Sequence, residues 1–188
     1  MAKEEQLDIG KIIEQGIISN ELDFERALIA ERKLKLLSQE NTKYKDERKK
    51  LRDIIESWET RNWSVESEIS DEKIRESDLA ERIAKEEMQF IQRRKELIRK
   101  KLKSLNLTQQ DLGTILGHVN KSYISELING IIPFSLKDLI VINRLLKIDL
   151  ADLIPTFLSQ SERLSIKMSV EKLGNPKLKL SKDDFALV

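Results

Sequence analysis

The chain has 188 residues, of which 36% are charged, 5% are aromatic and none is cysteine. A disulfide framework and a thiolate metal site are thereby excluded, and the composition suits a reducing cytoplasm. No apolar run approaches the roughly 20 residues a membrane span needs, and the opening MAKEEQLD lacks the apolar segment of a secretory leader. A formal net charge of +1 hides a strong division along the chain. Residues 1–90 hold 17 Lys/Arg against 23 Asp/Glu, residues 91–148 hold 11 against 4, and residues 149–188 hold 6 of each. A basic middle suits a polyanion, and an acidic front suits a different partner.

Taken in order, residues 1–18 carry Leu7, Ile9, Ile12, Ile13, Ile17 and Ile18 interrupted by Gly10 and Gly16, which predicts a short helix or an irregular arm. Ser19 or Asn20 caps the next helix, where Leu22, Ala27, Leu28, Leu34 and Leu37 recur at helical spacing to about Gln39. Asn41 and Thr42 make a turn. A third helix runs to about Thr60, with Tyr44, Leu51, Ile54, Ile55 and Trp58 on its buried side. Together these pieces predict an αα-hairpin with its own small core. Residues 62–70 are polar and without periodicity, as in a connection. Ser70, Asp71 and Glu72 then open a long helix, acids first as the macrodipole prefers, reaching about Ser104. Its charge turns basic from Arg93 to Lys103. That run has two readings, a solvated face or partly a set of phosphate contacts.

Leu107 to Gly130, LTQQDLGTILGHVNKSYISELING, is the most informative stretch. Thr108 and Asp111 have capping-box spacing, and Leu112, Ile115 and Leu116 fall on one face. Gly117 stops this helix, Asn120 caps a second one that buries Ile124 and Leu127, and Asn129-Gly130 ends it. Two short helices joined by a tight turn, with small Gly113 at their crossing, predict a helix-turn-helix. Ser135 with Asp138 starts another helix, apolar on more than one face through Leu136, Leu139, Ile140, Ile142, Leu145 and Leu146, and so expected to be central. Asp149 with Asp152 is expected to cap a last short helix stopped by Pro155. Residues 159–173 allow one more helix, and the end reads as extended or disordered tail.

The central stretch resembles the Xre-like helix-turn-helix regulators, which include phage repressors, through Leu107-Thr108-Gln109, Leu112-Gly113, Gly117, Ile124-Ser125 and Asn129-Gly130. It departs from them in two ways: Gly113 replaces the usual Ala, and one extra residue lies between Gly117 and Ile124. The resemblance implies double-stranded operator DNA as partner. The helix from Asn120 would enter the major groove, offering Lys121, Ser122, Tyr123, Ser125 and Glu126, with Lys121, Ser122 and Glu126 in the family's base-reading places. The longer turn leaves that register open by one place. Thr108 and Gln109 would present the start of the preceding helix to a phosphate, and Lys137 would be a lesser backbone contact. Tyr123 either donates to phosphate or packs its ring on the turn. One reading helix buries too little for tight specific binding, so a homodimer is expected, with half-sites about 34–36 Å apart or a multiple of that. Ile128, Ile131, Ile132 and Phe134 offer a dimer seam or, equally, monomer core.

The front half sharpens the resemblance. ERALIAERKL from Glu25 and LRDIIESWE from Leu51, joined by a helix to an Xre-type domain, are similar to the HigA-type antitoxins. That similarity implies repression of the protein's own operon and neutralisation of a small basic mRNA-cleaving toxin of the HigB type. Electrostatic complementarity fits an acidic helical half to such a surface, while ordinary solubility explains it as well. Trp58 and Trp63 read as core or hinge packing rather than as toxin anchors.

Catalysis is not expected. His118 is the only histidine, and no Gly-rich phosphate loop, H-E-x-x-H or G-x-S-x-G is present. The adjacent carboxylates Glu86-Glu87 and Asp183-Asp184 read as solvated, and no cofactor or metal is implied. The expected fold is all-α. A helical hairpin domain (1–69) meets a connecting helix (70–104), then a five-helix lambda-repressor-like domain (105–158, its first helix borrowed from about Glu86 onward), then a helix and tail (159–188). Three functions fit: the antitoxin, a stand-alone Xre-family regulator whose front half senses a ligand or mediates assembly, and a helical adaptor that binds protein.

Overall fold

The computed structural model describes residues 8–39, 41–63, 70–155, 160–175 and 177–178. Among them every regular element is a helix, and none is long and apolar enough to cross a membrane. The chain divides into two compact units, Met1–Ile154 and Pro155–Val188. In the second, α8 spans Gln160–Leu173. The expected tail beyond it lies almost wholly outside the described residues.

The larger unit begins with α1 (Ile9–Gln15), capped by Asp8, whose carboxylate accepts from Lys11 N. Asn20 is the cap of α2 (Glu21–Leu37), its side chain accepting from Asp23 N. Next comes α3 (Lys43–Asn62), which buries Tyr44, Leu51, Ile54 and Ile55. These four repeat at helical spacing, and they pack against Phe24, Ala27, Ala30 and Leu34 of α2. Small Ala27 and Ala30, both fully buried, let the two helices approach closely. Trp58 leans on Phe24, ring centroids 6.2 Å apart, so it is packing rather than a free anchor. Trp63 takes the Lys73 ammonium over its face at 4.6 Å.

The spine is α4 (Asp71–Ser104), 34 residues capped by Ser70 and about 50 Å long at 1.5 Å per residue. Its first half presents Ala80, Ile83 and Ala84 inward, with Arg26 of α2 reaching Glu87 through Nε at 2.8 Å. Ile98 and Leu102, in its second half, enter a different core. That core is completed by α5 (Gln109–Leu116), α6 (Lys121–Asn129), α7 (Leu136–Leu146) and a 3-10 turn, Leu150–Asp152. One helix therefore belongs to both halves.

Several expectations need correction. Ile115 is 47% exposed, because α5 turns only Leu112, Gly113 and Leu116 inward. On α7, Leu139, Ile142 and Leu146 are buried but Leu136 and Ile140 are not, so it is covered on one face only. Asp149 makes no side-chain cap, the last element being a single 3-10 turn closed by Asp152 N to Asp149 O. Arg94 leaves the basic surface altogether. It is buried, donates to Leu153 O at 3.1 Å, and lies over the rings of Phe90 and Phe134 at 5.7 and 5.2 Å. Burial pushes its guanidinium down to about 10. Finally, Ile128 and Phe134 are sealed in the second core, Ile132 packs against it, and Ile131 is buried in the first. Ile128, Ile131 and Phe134 are therefore monomer core, and of the four only half-buried Ile132 keeps surface that a seam could use.

Candidate nucleic-acid interface

Two short helices and the turn between them build the interface, and local chemistry fixes each boundary. Thr108 Oγ1 accepts from Asp111 N at 3.1 Å, and the Asp111 carboxylate in turn accepts from Thr108 N at 2.7 Å. The bond from Thr108 N, then one from Thr108 Oγ1 at 2.7 Å, hold the Asp111 carboxyl below its ordinary value. Beside it, the Gln109 side-chain oxygen accepts from Arg99 Nε and Nη2 at 3.0 and 3.2 Å. Thr108 is exposed and Gln109 half-buried at the N-terminal end of α5, where free N–H groups favour an anion.

The turn explains the unusual glycine. Gly117 takes the left-handed conformation (φ 85°) and His118 N reaches Gly113 O at 2.7 Å. A Cβ on Gly113 would sit 3.0 Å from His118 O and 3.4 Å from Ile124 Cβ. The crossing thus leaves no room for the methyl of the usual alanine without a shift. His118 has a partner distant in sequence: its Nε2 is 3.1 Å from Asp138 Oδ1, and the Tyr123 ring tilts against it at 4.9 Å. Of the two readings of Tyr123, its ring does pack on the turn, while 37% of the residue stays exposed.

Asn120 caps α6 through bonds to Ser122 N and Tyr123 N at 2.8 and 3.4 Å. Lys121 is exposed, and Ser122 and Ser125 are half-exposed. The exposed Arg93, Arg99, Lys100 and Lys103 lie on the same unit, and Lys137 is exposed at the start of α7. Glu126 does not join them. It is 8% exposed, and its Oε1 accepts from Lys43 Nζ at 3.0 Å and Tyr44 Oη at 3.4 Å. The bond to Glu126 is the main reason the Lys43 ammonium is held above its ordinary value. The Glu126 carboxylate is thus turned into the packing against α3, away from the exposed side chains at the start of α6 where the expected base contact would be made.

The far end of α6 is held by helices from the front half, which sequence reasoning did not anticipate. Lys33 of α2 donates to Asn129 O at 3.3 Å, satisfying an end carbonyl of the helix. Ile9 N of α1 donates to Ile131 O at 3.2 Å. Burial, then the Lys95 and Arg94 cations, push the Lys33 amine from 10.5 down to about 8. The unfolded chain keeps that proton to a higher pH than the folded one, so stability should rise as pH increases from about 8 to about 10.5. The most this one group can add over that window is about 3 kcal/mol. Urea midpoints for wild type and Lys33→Met across pH 7 to 10 should therefore diverge, the wild type gaining relative to the variant. Parallel pH profiles would show that Lys33 titrates like a solvated amine.

Residues 98–153 match the protein-family model described as Helix-turn-helix. This segment is a helix-turn-helix domain of the Xre/lambda-repressor type, the type found in DNA-binding regulators. The match runs from the end of α4 through the 3-10 turn and leaves the front half outside it. Comparison with curated proteins and with solved structures gave no match.

Proposed function

We propose that the chain binds operator DNA through the exposed first turns of α6 and represses the operon that encodes it. The observation that carries this reading is the Asn120-capped start of α6, which offers Lys121, Ser122, Tyr123 and Ser125 outward on a unit with a basic α4 end. Lysine can donate to guanine O6 and N7, and serine to either base type. Thr108, Gln109 and Lys137 serve as backbone contacts around that centre. Two copies are required, because one such helix buries too little surface for tight specific binding. Contacts to phosphate release counterions, so log K should fall by about 0.9 per phosphate neutralised as log salt rises. Six contacts would cost about a thousandfold in affinity between 50 and 200 mM salt. A fluorescence-anisotropy titration over that range tests the reading, and an affinity indifferent to salt would favour a protein-binding adaptor.

The fuller reading makes this regulator an antitoxin of the HigA type, whose acidic front half neutralises a small basic mRNA-cleaving toxin of the HigB type. It rests on the charge division along the chain and on the two front motifs. Its test is co-expression with a small basic neighbouring gene product, which should arrest growth alone and not beside this chain. A second reading, a regulator whose front half senses a ligand, is favoured by the contacts of α1, α2 and α3 with residues 126–131. Anything that moves those helices is felt at the end of α6.

A further inference from the structure

Four helices, α1 to α4, converge on four residues at the end of α6 and just beyond it. Lys43 and Tyr44 of α3 hold the Glu126 carboxylate, and Lys33 of α2 holds Asn129 O. The Ile131 backbone receives Ile9 N of α1, and Ile91 of α4 packs where a side chain on Gly130 would stand. Lys33 and Lys43 thereby place two ammonium groups at the carbonyl end of α6, where the helix dipole favours them.

We infer that the α2–α3 hairpin is a brace that sets the pose of the recognition helix, with Lys43 and Tyr44 acting as positioning residues through Glu126. This rests on the DNA-binding reading and refines it: base choice falls to Lys121, Ser122 and Ser125, and Glu126 has no part in it. The physical asymmetry lies in the carboxylate. The Lys43 side chain is 52% exposed, so the ion pair by itself contributes little. Glu126, at 10% side-chain exposure, does not tolerate losing its partner so easily. Without Lys43 it keeps only the longer bond from Tyr44 Oη, and must either stay desolvated with no cation beside it or swing toward solvent, where a duplex would meet it as a negative charge. Both outcomes disturb α6 and leave α5 and α7 in place. An arginine at position 43 can still donate to the carboxylate, so Lys43→Arg should preserve the brace.

The test uses the full chain and two readouts. Hydrogen exchange should quicken at least fivefold over residues 122–131 in Lys43→Ala, stay unchanged in α5 and α7, and return to the wild-type rate in Lys43→Arg. Against a duplex selected by the wild type, Lys43→Ala should bind about tenfold more weakly, with unchanged affinity for random duplex. Glu126→Gln should keep the wild-type base preference at every position, and Lys43→Ala/Glu126→Gln should be no weaker than Lys43→Ala. Unchanged exchange over 122–131 overturns the brace, as does an altered base preference in Glu126→Gln. A wild type that selects no duplex overturns the DNA reading instead, and the exchange experiment still decides the brace.

Discussion

Changing Lys121 and Ser122 together to alanine should abolish sequence-specific DNA binding while leaving helicity and thermal midpoint near the wild type. Both side chains stand at the start of α6, exposed or half-exposed, and neither side chain contributes the helix cap, which comes from Asn120. Each well-placed base contact contributes about 1–3 kcal/mol of discrimination. Losing two should therefore weaken specific binding by about 2–6 kcal/mol, at least thirtyfold, and the upper part of that range spans the gap of about 4 kcal/mol or more that separates specific from non-specific binding. Random duplex should be bound nearly as before, less one phosphate's worth of salt slope if Lys121 also touches the backbone. A gel-shift titration against selected and random duplex reads both numbers. Undiminished affinity for the selected duplex would place the reading surface elsewhere on the molecule.

The largest effect on stability is expected at Gly130. This residue ends α6 in the left-handed conformation (φ 68°), and a Cβ there would stand 2.5 Å from Ile91 Cγ2. An L-residue in that conformation costs about 1–2 kcal/mol by itself. The methyl it would strike is fixed on the β-branch of a helical isoleucine, which has one strongly preferred rotamer and little freedom to yield. Overpacking of that kind costs about 1–3 kcal/mol more. Gly130→Ala should thus lose about 2–5 kcal/mol in urea denaturation. Placed in an Ile91→Ala background, the same change should cost only the conformational part, about 1–2 kcal/mol. Equal costs in the two backgrounds would mean that α6 and α4 separate there without penalty.

How far the sequence foretold this depends on how local each determinant is. The caps Ser70, Thr108, Asn120 and Ser135 all act within three residues and each opens its helix as its position suggested, as does Asn20, one of the two residues offered for α2. Gly117 and Gly130 are equally local, since a left-handed stop needs no distant partner. Which apolar face is covered depends instead on what lies opposite. Ile115, Leu136 and Ile140 have the right spacing and remain exposed, while Ile131, which suited a seam or a core equally, is 3% exposed among front-half residues. Charge is the least legible of all. Arg94 and Glu126 sit in runs that read as surface, yet both are buried on partners 59 and 82 or more residues away. Residue type at a helical position gives no sign of that.

The double allegiance of α4 bears on where this protein can be cut. Residues 98–153 are recognisable as a module, but a fragment with those ends omits Lys33, Lys43, Tyr44, Ile91 and Arg94, and strips the cover from Ile131. The unit that kinship makes visible is thus shorter than the unit that excludes water. Grafting this reader onto another chain would mean recoding Ile131 and Glu126 for solvent, or carrying the hairpin along as part of the transplant.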